Sequence, residues 1–184
     1  MNIPLPKLKA IIRYFCAYTD ARFLGKVKLM KLFYFLDFLH VKKYGTPVTY
    51  DRYVNLEHGP IPSSILNLVN EAISDPDRSI LSDTIRCETP DHFNMNRIVS
   101  TRTFSEQDED YFSPSELEVL RQVCQRFGDK NTKHIEDAAH NEAPWKETRQ
   151  LDEIPYSLAA LDRDCQRSKE EIEMSQKIVY DSNH

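Results

Sequence analysis

The residues of this 184-residue chain whose chemistry could make a site are its six histidines, four cysteines, four glycines and acidic runs. Spacing decides each case. His134 and His140 stand six apart, so a helix does not bring them to one face as the four-residue spacing of a metal-binding pair does. Cys16, Cys87, Cys124 and Cys165 are scattered with no Cys-x-x-Cys pair, which reads as reduced, mostly packed thiols rather than a zinc ribbon or redox motif. Gly25, Gly45, Gly59 and Gly128 lie too far apart for a loop that cradles phosphate. Asp108, Glu109 and Asp110 are consecutive on an expected loop, where side chains diverge; catalytic carboxylates need burial and controlled separation, so these read as solvated acids. No catalytic residue, metal or cofactor is expected.

Two other constellations stand out. In His58-Gly59-Pro60-Ile61-Pro62 each proline biases the residue before it away from helical geometry, holding the chain extended for about four residues. Such a corner either displays its backbone and His58 to a partner or sets the angle between two core helices. Trp145, closing His140-Asn-Glu-Ala-Pro144-Trp145, is open to the same two readings, as an interface anchor or a core plug.

The elements that must position these residues follow from apolar periodicity. Leu8, Ile11, Ile12 and Phe15 predict an amphipathic helix over 6–19, followed by a loop over 20–25. A second helix over 26–43 has Leu29, Leu32, Phe33 and Leu36 on one face, with Met30, Tyr34, Phe35, Phe38 and Leu39 around the rest. A helix apolar on nearly every side belongs at the centre of a domain; Gly45 suits its stop and Pro47 prevents continuation. Residues 48–56 permit either a short strand or a helical face. Pro62 can open a helix that runs to Asp75-Pro76.

Two β-leaning segments, 79–87 and 97–104, flank a polar stretch with Pro90, Asp91 and Asn94 and predict a hairpin. Ser113-Pro114-Ser115-Glu116 is a capping box opening a helix that Gly128 ends. A shorter helix is expected over 132–140, then a final charged helix over 156–177 with the pairs Arg167–Glu171 and Lys169–Glu173, its last residues 180–184 frayed.

Few glycines, 40% hydrophobic residues and this length predict one domain spanning 1–184, mainly α with a small β-hairpin, packed around the central helix. Helices followed by a hairpin also fit a winged-helix arrangement. The start Met1-Asn-Ile-Pro-Leu-Pro6 has no basic stretch, apolar run or cleavage site of a signal peptide. The apolar stretch 29–41 is shorter than a bilayer span and carries Lys31 and Asp37. A cytosolic protein without membrane association is expected.

The net charge of −5 is unevenly placed: residues 1–52 hold ten Lys or Arg against three Asp, and the rest holds 14 basic and 26 acidic residues. That basic start could attract nucleic acid, with Arg97 and Arg102 of the hairpin as further contacts. Alternatively, the acidic second half folds back and neutralises it, or the charges form a solvated face.

Lys31-Leu32-Phe33-Tyr34-Phe35, Tyr44-Gly45-Thr46-Pro47, His58-Gly59-Pro60-Ile61, Ser113 to Leu120 with Val123, Phe127-Gly128 and His140 to Trp145 occur in order. This series, from about residue 6 to 148, resembles the SocA-like antitoxin, or Panacea, domain. Ile61 stands where Val is usual, and Asn55 where a small apolar residue is common, which leaves the packing of 48–56 open. The resemblance implies a bacterial or phage-borne antitoxin that binds a toxin encoded beside it. One branch of that family looks like a proteolytic adaptor delivering its toxin to an AAA+ protease. On that reading Lys31, Tyr34, His58, Gly59, Pro60, Ile61, Pro62, His140, Pro144 and Trp145 are the candidate partner-binding or family-motif residues. The alternative is a winged-helix-like DNA-binding regulator.

Overall fold

Apolar side chains on every face of one helix leave it no surface to turn to water, and in the computed structural model that helix is the axis of the molecule. The structure describes residues 3–89 and 96–182. Helix α1 (Leu5–Tyr18) is followed by α2 (Lys26–Tyr44), whose Leu29, Met30, Leu32, Phe33, Tyr34, Leu36 and Phe38 are buried. Gly45 ends α2 at φ 85°, in the left-handed region, and returns its N–H to the Val41 carbonyl. The hairpin β1 (Tyr53–Leu56) and β2 (Gly59–Pro62) leads directly into α3 (Ser63–Ser74). A second hairpin, β3 (Ile85–Glu88) with β4 (Arg97–Ser100), precedes the single-turn α4 (Glu106–Glu109) and α5 (Pro114–Phe127). Then come α6 (Thr132–His140), α7 (Ala143–Lys146), the two-residue β5 (Glu153–Ile154), a 3-10 helix over Tyr156–Leu161 and α8 (Lys169–Ser182). Around α2 pack α3, α5, α6, β2 and the 3-10 helix, which gives the expected α+β architecture.

Residues 48–56, open in the sequence, divide in two. Asp37, fully buried in the middle of α2, accepts the N–H of Val48 at 2.8 Å and of Thr49 at 2.7 Å. It also accepts the hydroxyls of Thr49, Tyr53 and Tyr156. This clamp holds 48–52 as irregular chain, and β1 begins only after it. Asp51 repeats the device one step on, accepting the N–H of Ser64 and Ile65 at the start of α3. Burial pushes the Asp37 carboxyl up to about 6, against the pull of its hydrogen bonds.

The Gly59–Pro62 segment is a strand in a three-stranded sheet of order β2-β1-β5, not merely a corner between helices. Two prolines are tolerated because β2 is an edge strand and they alternate along it. Their side of the strand faces away from β1, and there the Pro60 carbonyl accepts from Lys31 Nζ at 2.8 Å.

Three expectations need correction. The acidic run 106–110 is not a loop: Glu106–Glu109 form α4, and while Glu106, Glu109 and Asp110 are exposed as expected, a Ser105 capping box and two guanidiniums bury Asp108 to 1% exposure. The final helix is not continuous over 156–177, because Pro155 and the buried Ala159 hold 156–161 in a 3-10 turn and α8 starts only at Lys169. It then continues to Ser182; Asn183 and His184 lie outside the described residues. The second hairpin is shorter than predicted, since Ser79 to Thr84 form consecutive turns around the Ser79 hydroxyl. Pro90, Asp91 and Asn94 lie outside the described residues.

Removing the Asp37 carboxylate strands several buried donors at once. Asp37→Ala is expected to lower stability by about 3–5 kcal/mol, read as a shift of the urea unfolding midpoint with an unchanged slope.

Candidate functional site

Strand β2, α6 and α7 meet over one face of α2, and the motif residues meet there. Lys31, fully buried, donates to Pro60. Gly59 sits at φ +91°, and a Cβ there would lie 3.1 Å from Lys31 Cε and 3.2 Å from both Lys31 Nζ and His140 Nε2. Only glycine combines that backbone with so close an approach. The His140 ring stacks on Trp145 with centroids 4.1 Å apart, and its Nε2 is buried with no hydrogen-bond partner among the described residues. Trp145 Nε1 reaches the Leu56 carbonyl at 3.4 Å. Burial lowers Lys31 to about 7, with Glu136 opposing it; burial and the Lys31 charge lower His140. A lysine so lowered is nucleophilic wherever a substrate reaches it, but this one is fully buried beneath the hairpin.

The hairpin projects His58 outward, its side chain 71% exposed and Nδ1 3.9 Å from Glu136 Oε1. Pro60, Ile61, Pro62 and Pro144 are buried, so they shape the surface from beneath rather than form it. Tyr34, also buried, donates at 3.2 Å to Glu142. Glu142 shares the buried Lys42 ammonium with Asp162 and Asp164 at 2.9 to 3.1 Å. This group floors an open cavity of about 520 Å³ that Arg126, His134 and Asp137 also line.

Sequence reading missed Lys42, Glu142 and Asp162, because 100 residues and more separate the lysine from its partners; no local pattern marks such a cluster. It also undervalued Asn55. This buried side chain donates to the Trp145 and Thr148 carbonyls at 2.9 and 2.7 Å, tying α7 to β1.

Arg97 and Arg102 lie apart from this face, on and just beyond β4. Arg102 is bidentate on Asp108, at 2.6 and 2.7 Å, and Arg13 contributes a longer ion pair to the same carboxylate. Much of the basic N-terminal segment is paired within the molecule: Lys7 with Glu116, Lys9 with Asp83, Lys42 with its three carboxylates and Lys43 with Glu118.

Two measurements test the packing of Lys31 beneath Gly59. Between pH 7 and 10.5 the unfolded chain holds a proton on Lys31 that the folded chain has released, so this residue makes stability rise with pH. Relative to Lys31→Met, the wild-type protein is expected to gain on the order of 2 kcal/mol between pH 7 and 9, measured by urea unfolding at each pH. Gly59→Ala is expected to cost about 2 kcal/mol through its backbone and the contacts of its Cβ.

Among the described residues no group of His, Cys, Asp or Glu is placed to hold a metal ion, and no helix is long and apolar enough to cross a membrane. No curated protein and no solved structure matches the chain. The family model described as antitoxin SocA-like, Panacea domain, matches residues 29–146, from the first turn of α2 to the end of α7. That span contains every residue of the Lys31, Gly59, His140 and Trp145 cluster, and the chain belongs to the SocA-like antitoxin family, Panacea domain.

Proposed function

We propose that this protein is a non-enzymatic antitoxin that neutralises its cognate toxin by binding it directly. The observation that carries the reading is the family match over 29–146, whose motif residues converge on one face. There a buried lysine and a stacked His140–Trp145 pair brace the hairpin that bears His58. A face so braced binds without reordering, which lowers the entropic cost of association. In this reading His58, Trp145 and the hairpin between them form the contact surface, while Lys31, Tyr34, Gly59, Pro60, Ile61, Pro62, His140 and Pro144 set its shape.

The DNA-binding alternative needs unpaired cations. Arg102 and the lysines Lys7, Lys9, Lys42 and Lys43 are instead engaged by carboxylates of the same chain, which favours the antitoxin reading.

Co-expression with the product of the adjacent gene is expected to restore growth that this product alone arrests, and the two purified proteins are expected to co-elute. A harmless neighbour, or toxicity unaffected by co-expression, would refute the proposal. Rescue that disappears in a host lacking one AAA+ protease, with co-elution intact, would identify delivery for proteolysis as the route. A gel-shift titration with duplex DNA is expected to show no complex at physiological salt; a complex with a steep salt dependence would restore the regulator reading.

A further inference from the structure

The loop after α1 begins a third strand beside the second hairpin and then leaves it. The Leu24 carbonyl accepts the Ile98 N–H at 2.8 Å, and Gly25 bridges Arg97. One residue back the chain turns away, Phe23 N–H returning to the Asp20 carbonyl and Gly25 N–H to that of Phe23, each at 3.0 Å. Within the hairpin, Thr101 N–H donates to the Thr84 carbonyl and Val99 stands opposite Arg86. By antiparallel alternation Ile98 and Ser100 therefore turn their backbone groups to the other edge. Leu24 takes the Ile98 N–H, and the loop has departed before it reaches Ser100.

A cavity of about 330 Å³ occupies the path that a continued strand would follow. Ala17 of α1 and Ala21 of the loop line one side, and β4 with the residues after it, as far as Phe104, line the other. The edge itself reads Ile98-Val99-Ser100-Thr101, with none of the prolines or lysines that blunt an exposed strand. Backbone groups along such an edge are met by another extended chain.

The charges state which kind of chain. Arg13 and Arg102 both line the cavity, and no acidic residue does. Behind them the two guanidiniums share the single carboxylate of Asp108, while the nearby Lys9 and Asp83 pair with each other, so one positive charge is left over. Arg102 grips Asp108 at 2.6 and 2.7 Å. Arg13, only 7% exposed, reaches Asp108 and Thr84 at 3.4 Å each, and its Nε is buried with no hydrogen-bond partner among the described residues. A guanidinium held so loosely in a buried place is stabilised by a further anion. One excess charge suits one carboxylate and not a polyanion.

We infer that the open edge of β4 is a docking site for an extended segment of the toxin, which adds antiparallel to β4 in line with Leu24 and presents one Asp or Glu side chain to Arg13 and Arg102. The inference rests on the antitoxin reading and deepens it. This contact is additional to the face that bears His58, and it fixes the conformation and the charge of what the partner must offer.

The test uses the full chain and, as probe, the purified product of the adjacent gene. In the complex, hydrogen exchange at the Ser100 amide is expected to slow by about tenfold or more, with a smaller change at Val99 and Thr101, whose N–H groups already face β3. Ala17→Trp fills the cavity from an exposed position on α1, and is expected to keep the wild-type unfolding midpoint while binding the probe about tenfold or more weakly. Ala17→Ser is expected to stay within about threefold. On the probe, the segment that slows is expected to carry an Asp or Glu whose amide replacement weakens binding by about fivefold or more. Unchanged exchange at Ser100, wild-type affinity in Ala17→Trp, or a protected probe segment without an acidic residue would each overturn the inference and leave the antitoxin reading standing. Slowing at Ser100 that grows with the concentration of this protein alone would assign the edge to a second copy and overturn it as well. Failure of the wild-type protein itself to bind would overturn both.

Discussion

A helix buried on all sides cannot leave its polar side chains unpaired, and this constraint on α2 organises the rest of the chain. Lys28, Lys31, Asp37, His40 and Lys42 are all buried within it. Each is satisfied by a different segment: Lys28 by the Gly128 and Lys130 carbonyls, Lys31 by Pro60, Asp37 by 48–53, His40 by Thr46 and Ser115, and Lys42 by Glu142, Asp162 and Asp164. Apolar packing supplies most of the favourable free energy but has no direction. The five buried polar groups supply the direction, because an unpaired one costs several kcal/mol. They determine which segment lies against which turn of α2.

The same logic disposes of the charge asymmetry. Ten cations in the first 52 residues resemble a nucleic-acid surface only while the chain is read linearly. In the fold Lys7, Lys9, Arg13, Lys42 and Lys43 meet carboxylates on β3's approach, α4, α5 and the segment after the 3-10 helix, while Lys28 and Lys31 donate to backbone carbonyls and Lys26 to Asn70. Arg102 is the clearest case. A guanidinium on an exposed hairpin suits a phosphate, but here a buried carboxylate in bidentate geometry already takes its place.

How much was legible can be judged residue by residue. Helix α2 was, because its apolar excess exceeds what one amphipathic face needs; so was α5, whose Ser113 and Glu116 form a capping box from four consecutive residues. Both signals are local. The Gly59–Pro62 segment was legible as extended chain, yet its role as an edge strand depended on Tyr53–Leu56 lying alongside it. Asp108 looked like a solvated acid because its neutralising partners, Arg13 and Arg102, come from other elements. The final helix was overextended because Tyr156 to Leu161 carry helical spacing, while their packing against α2 and α7 holds them in a tighter turn.

The sequence by itself determined the central helix, the capped starts, the extended Gly-Pro segment and the family, since each depends on residues close in the chain or on their order along it. Only the tertiary structure decided that Lys31, Gly59, His140 and Trp145 form one braced site. It alone decided that Lys7, Lys9, Lys42 and Lys43 pair with distant carboxylates and that Asn55 ties α7 to β1. Those outcomes depend on contacts across dozens of residues, where distance, burial and hydrogen-bond geometry select the partner and local pattern does not.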